Sequence, residues 1–207
     1  MVQKKTVHRP RGRPRAYDPD TALARVTEAF WDAGYSATSL DDLSGAAGMN
    51  RPSLYGAFGN KRALYLATLE RYREMGRNAM REELSYELPL ADALRRVYAR
   101  AIAIYTEGDS GARGCFLIGT AATEAVLDKR IRREFADGLH ELDEQLEARF
   151  QYALGHGELQ SSLGAGDLAR LACGIMNSLA LRARAGDPRM VLEATAEAGV
   201  LLICGLA

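Results

Sequence analysis

The chain is predicted to be all-α, with an N-terminal three-helix helix-turn-helix unit followed by a larger C-terminal helical body. Three observations lead there. No segment of the 207 residues shows the alternating, β-branched pattern of a strand. Apolar residues recur instead at helical spacing, between glycine-rich connections at 108–114, 155–157 and 164–166. Residues 38–64, TSLDDLSGAAGMNRPSLYGAFGNKRAL, read as two short helices joined by a glycine turn and run into a third. The spacing predicts nine helices, near 18–34, 39–47, 50–58, 60–84, 88–106, 114–126, 128–154, 166–185 and 187–205.

The first 17 residues form a basic arm. Residues 1–15 hold six bases and no acid, so a chain of zero net charge leaves −6 on the remainder. A basic head on an acidic body confines attraction for an anionic polymer to the head. Within it, Pro10-Arg11-Gly12-Arg13-Pro14 is the core found in AT-hook peptides. The glycine lets the backbone sit deep, and Arg11 and Arg13 splay along a narrow A·T-rich minor groove. Plain attraction to phosphates is the simpler alternative.

Helix 18–34 follows, with Leu23, Val26, Phe30 and Trp31 or Ala33 as its buried side against the two-helix reader, and Gly34 as its stop. In the next helix Ser39 and Asp42 make a capping-box pattern, and Leu40, Leu43 and Ala47 share a face. Gly48 suits the positive φ of a tight turn, and Met49 fills the angle between helices. Asn50 caps the third helix and Pro52 sits in its first turn, where the missing N–H does no harm. Leu54 and Phe58 face inward, leaving Arg51, Pro52, Ser53, Tyr55 and Gly56 outward. Such a helix start is suited to a major groove, and Arg51 is the candidate for a bidentate guanine contact. A unit this small needs a neighbour. The helix from residue 60 therefore serves both domains, with Lys61 and Leu64 in the DNA-binding unit (18–64) and Leu69, Tyr72 and Met75 in the body (65–207).

These residues carry a resemblance. Ala29–Phe30, Gly34–Tyr35, Thr38-Ser39-Leu40, Ala46-Ala47-Gly48-Met49, Ser53-Leu54-Tyr55, Phe58, Lys61 and Leu64 are similar to the TetR/AcrR family of bacterial transcriptional repressors, over roughly 18–66. Asn50 stands where serine is common, and Gly56-Ala57 where a polar residue or histidine is common. The resemblance implies phosphate contacts at Thr38, Ser39, Tyr55 and Lys61 and groove-facing positions at Arg51, Pro52 and Ser53. It implies a homodimer through the last two helices on a palindromic double-stranded DNA operator, released by a small organic effector. Tyr55 also suits packing against its neighbour helix, and Lys61 a solvated helix start.

The last two helices are rich in small residues, Ala169, Ala172, Gly174, Ala180 and Ala183, then Ala194, Ala198 and Gly199. With Leu171, Ile175, Leu179, Leu192, Leu201 and Leu202 they suit a helical bundle. A dimer interface and an intramolecular core use the same residue types. Tyr65, Tyr72, Tyr98, Ile102, Tyr105, Phe116, Met176 and Asn177 lie on helices that line ligand cavities in the family, and plain core is the competing role. Their mixture of tyrosines and aliphatics favours a partly apolar organic ligand. Cys115 follows Gly114 at an expected helix start beside Arg113, a setting that lowers a thiol pKa, and RGCFL resembles a stretch of one family branch in which some members sense electrophiles or oxidants. Burial as a small hydrophobe is its other reading.

Cys115, Cys173 and Cys204 lie far apart, which fits a reducing cytoplasm and no structural zinc. No apolar run follows the basic arm as in a signal peptide, and the apolar stretch 199–207 is too short to span a bilayer. His8, His140 and His156 have no partner at metal spacing, and neither nucleophile elbow nor phosphate loop occurs. No cofactor, metal or catalytic residue is expected. A ligand-responsive repressor is the leading reading; an architectural DNA binder and a Cys115 thiol sensor are the alternatives.

Overall fold

The computed structural model describes residues 18–108 and 111–206, so the arm with Arg11 and Arg13 lies outside the described residues. The first three helices are α1 (Pro19–Ala33), α2 (Leu40–Ala47) and α3 (Arg51–Phe58). Each start is satisfied locally. Asp18 accepts from the Thr21 amide at 3.1 Å, Asn50 from Ser53 at 2.9 Å, and Ser39 and Asp42 close the capping box at 3.2 and 2.8 Å. Such caps contribute about 1 kcal/mol each. Gly48 takes the left-handed conformation at φ +64°, which turns α2 toward α3. Val26, Phe30, Leu43, Met49, Leu54 and Leu64 close the small core beneath. Burying a side chain of this size contributes about 1.5–3 kcal/mol.

From Lys61 the shared helix α4 (Lys61–Glu83) runs for 23 residues into the body, about 34 Å at the α-helical rise. Then follow α5 (Leu90–Thr106), a π-helical turn (Leu117–Ala121) continuing into the short α6 (Ala122–Glu124), α7 (Lys129–Gly155), α8 (Ala165–Arg184) and α9 (Arg189–Cys204). Helices α7 and α9 pack on α8, and α9 also packs on α5. Pro89 offers no side-chain cap to α5. Glu158 supplies it from across the chain, accepting from the Leu90 amide while holding the buried guanidinium of Arg149.

The π-helical turn differs from the regular helix expected at 114–126. Thr120 bonds back to the Phe116 carbonyl at 2.7 Å and meets the Tyr65 hydroxyl at 2.7 Å. A widened turn of this kind is common where a site is built. Trp31 also differs from expectation. It turns away from the reader, edge-on to Tyr72 with ring centres 5.2 Å apart and beside Phe116 at 5.6 Å. Among the described residues no helix is long and apolar enough to cross a membrane.

Candidate functional site

Among the described residues, two regions gather the candidate site residues. The first is the start of α3. Arg51, Pro52, Ser53, Tyr55 and Gly56 are all exposed, while Leu54 between them is buried. The Arg51 guanidinium forks onto the Asp41 carboxylate of α2, with Nε at 2.6 Å. Both partners are solvated, so the pair orients Arg51 without tying it down. Lys61 holds its ammonium 4.6 Å above the Tyr35 ring, beside the same face. Ser39 is exposed at the start of α2. Thr38 corrects the sequence reading: it is only 2% exposed, and its hydroxyl donates to the Gly34 carbonyl at 2.6 Å. Its side chain belongs to the turn and presents no free hydroxyl at the surface.

The second is an open cavity of about 280 Å³ lined by residues of α1, α4, α5, α7, α8 and the connection before the π-helical turn. Tyr72, Tyr105 and Met176 line it as expected, with Cys115. Tyr65, Tyr98, Ile102, Phe116 and Asn177 do not line it. Tyr65, Tyr98, Ile102 and Phe116 are all but fully buried as core; the Tyr98 hydroxyl donates to the Ala172 carbonyl at 3.2 Å. The reason lies in register on α5. The cavity takes Val97, Ala101 and Ile104, a stripe rotated one residue from Tyr98, Ile102 and Tyr105, and shares only Tyr105 with the latter. Both stripes are equally apolar, so periodicity alone does not choose between them.

Trp31, Arg73, Arg77, Arg113, Leu117 and Leu142 are lining residues that the sequence reading missed. Arg73 is held between Glu134 and Glu141, and Arg77 bonds Glu141 at 3.0 Å and Glu70 at 3.1 Å. Gly138 admits this packing, because a Cβ there would run into Leu117. Charged residues in a helix usually read as solvated face, which is why these escaped notice.

Cys115 stands just before the π-helical turn, with the Tyr72 hydroxyl 3.4 Å from its sulfur. Burial dominates its chemistry. It pushes the thiol pKa up, against hydrogen bonds from Tyr72, Tyr105 and the Leu117 and Ile118 amides that pull it down. The expectation of a thiol lowered by a helix start and Arg113 is therefore reversed. Arg113 faces Glu28 and Asp32 of α1 instead. Burial likewise pushes the hydroxyls of Tyr72 and Tyr105 well above their ordinary range. Among the described residues no cluster of His, Cys, Asp and Glu is placed to hold a metal.

The last two helices resolve into two faces. Ala169, Ala172, Leu179, Ala180, Ala183 and Leu192 are buried within the chain. Leu171, Gly174 and Leu181 of α8, with Val191, Ala194, Ala198 and Leu202 of α9, stand exposed in two apolar stripes. Leu202 is 76% exposed.

Known proteins share this arrangement. Residues 23–68 match the model of the bacterial regulatory proteins of the tetR family, and residues 91–198 match the tetracyclin repressor-like C-terminal domain. The HTH-type transcriptional repressor ComR of Escherichia coli is 42% identical over 123 residues, spanning 56% of this chain and a little over half, 56%, of that protein. The HTH-type transcriptional regulator YezE of Bacillus subtilis is 30% identical over 156 residues, 75% of this chain and 78% of its own. Among solved structures, the TetR family regulator CifR, as a cysteine mutant complexed with 26-base-pair operator DNA, is 28% identical with a TM-score of 0.82, covering 91% of this chain and 98% of that one. With its helix-turn-helix and helical body both matched, the chain belongs to the tetR family of bacterial transcriptional regulators.

Proposed function

We propose that this protein is a repressor that reads a palindromic operator as a homodimer and is released by a small organic effector. The single observation that carries it is the exposed first turn of α3, where Arg51, Pro52, Ser53 and Tyr55 project from a helix locked by Leu54 onto α1 and α2. That geometry suits major-groove entry, with Arg51 exchanging Asp41 for a base edge. The operator complex of CifR, built on a similar backbone, supports the same use. The exposed stripes on α8 and α9 are the proposed dimer face, since apolar rows left open on a monomer mark association surfaces. The cavity is the proposed effector site, and its size is at the low end for small-molecule pockets. An effector that prefers one of two dimer shapes shifts the spacing of the two readers and thereby operator occupancy.

The test is fluorescence anisotropy with DNA from the protein's own promoter region against scrambled duplex at ~150 mM salt. A preference on the order of 10³ or more is expected of an operator reader. Equal binding to both refutes the operator reading and leaves an architectural role, in which deleting the basic arm removes nearly all DNA binding.

A second reading rests on the Tyr72–Cys115 contact in the cavity wall. A thiol kept protonated by burial reacts only after losing its proton, so sensing through Cys115 requires an effector that brings the thiol to a base or to water. Cys115→Ser that keeps effector response excludes it.

A further inference from the structure

The cavity and the DNA-binding unit share a wall. Trp31, the chain's one tryptophan, belongs to α1 yet lines the cavity. Its indole N–H donates to the Gly114 carbonyl at 3.2 Å. The Arg113 guanidinium lies over its ring at 4.4 Å and reaches past it to Glu28 and Asp32 of α1, the latter at 3.3 Å. Arg113 and Gly114 form a strap fastened on both other sides. Both amides bond the Tyr105 carbonyl of α5 at 3.0 Å. Arg184 of α8 donates to the Arg113 carbonyl at 3.2 Å. Two glycines admit these contacts. Gly114 has φ +69° and faces the Ala180 carbonyl so closely that no Cβ fits, and a Cβ on Gly119 would lie 2.6 Å from the Arg184 guanidinium. One short strap thus joins the reader's first helix, the cavity wall and α8.

The cavity's charges also select what it takes. Arg73, Arg77 and Arg113 are committed to Glu70, Glu134, Glu141, Glu28 and Asp32. Arg100 and Glu107, which have no ion pair among the described residues, stand exposed at the mouth. The remaining inner wall is Trp31, Tyr72, Tyr105, Cys115, Met176 and aliphatics. A charged group pressed against that inner wall loses its hydration without gaining a counter-ion, because the two unpaired charges, Arg100 and Glu107, are the exposed ones.

Resting on the reading of an effector-released regulator, we infer that the cavity binds an uncharged, largely apolar small molecule that is read directly by the DNA-binding unit through the Trp31–Arg113 clasp. The shared helix α4 is then not the sole connection. A ligand that competes for the Trp31 face displaces the clasp from Glu28 and Asp32 and frees α1 from α8.

The test uses the full chain and a pair of probes of like shape, naphthalen-2-ylmethanol and 2-naphthoate. Calorimetry is expected to show the alcohol binding at least tenfold more tightly than the carboxylate, and Trp31→Phe to weaken it at least fivefold. Anisotropy with the promoter duplex is expected to show that saturating alcohol weakens DNA binding of the wild type. In Arg113→Met the alcohol is expected to bind at least as tightly as in the wild type, because no clasp has to be displaced, but that weakening shrinks at least fivefold. Glu28→Gln with Asp32→Asn cuts the same link from α1 and guards against a misfolded Arg113 variant. The inference is overturned by no alcohol binding up to 1 mM, by preference for naphthoate, or by undiminished weakening in both clasp variants. The calorimetric arm needs no DNA, so failure there counts against this inference, whereas absent DNA preference counts against the regulator reading beneath it.

Discussion

The helix-turn-helix unit and the cavity differ in how far their parts travel along the chain. In the helix-turn-helix unit each helix start is capped by a residue at most three positions away: Asp18 for Thr21, Ser39 for Asp42, Asn50 for Ser53. The cavity draws its wall from Trp31, Tyr72, Tyr105, Cys115, Leu142 and Met176, on different segments of the chain. The body also has remote supports, as Glu158 on the Leu90 amide at the start of α5 and Arg95 on Glu197 show. A structure built from local contacts is tolerant of change elsewhere. One built from distant contacts fails together.

The strongest challenge to that contrast is Leu202→Glu on the exposed α9 stripe. If the local reader depends on the body only for spacing, the variant becomes monomeric in sedimentation while its helix content stays unchanged. Its operator affinity falls on the order of a hundredfold, as expected when two linked readers become one. Unchanged affinity in a dimer would relocate the interface.

Glu158→Ala attacks the body instead. It strands the Arg149 guanidinium, which is 1% exposed, and is expected to cost about 3 kcal/mol in denaturant unfolding. The pair also sets an acid limb. Hydrogen bonds from Arg149 hold the Glu158 carboxyl below its ordinary range. Its contribution is therefore complete above the ordinary carboxylate range and is lost as pH falls through the depressed folded value. Glu158→Gln flattens that limb; an unaltered acid limb in the variant would show that another carboxylate governs it.

Arg51→Ala sharpens the reader side. Roughly tenfold loss confined to one operator base pair is expected of a bidentate base contact, with melting temperature unchanged. An equal loss on every sequence reassigns Arg51 to phosphate. Ser39→Ala has the smallest expected effect, about 1 kcal/mol of stability through the lost cap. Thermal unfolding measures it, and a larger loss would mean that α2 is tied to the body as well as to its own capping box.

Eight of the nine expected helices lie within about two residues of their predicted bounds, because caps, glycine stops and apolar spacing are local signals. The exception, at 114–126, is the segment whose geometry depends on Tyr65 and Arg184 arriving from elsewhere. Thr38 shows the same limit on a small scale. Its position matched a contacting residue, but the fold turned its hydroxyl onto Gly34. On α5 the choice between the Tyr98 stripe and the Val97 stripe rested on which neighbour each met, and the sequence holds both as equals.

The all-α architecture, the helix-turn-helix with its exposed Arg51, Pro52, Ser53 and Tyr55, and the family likeness were determined by residues close together in the chain. Propensity, capping and periodicity act over one or two turns, so those features could be read directly. Tertiary structure alone decided that Trp31 faces the cavity, that Arg113 grips α1 while burial lifts the Cys115 thiol, and that α8 and α9 bury one face and leave the other bare. Each is an outcome of packing between elements tens of residues apart, where the same apolar or charged residue serves as core, wall or open surface according to what lies against it.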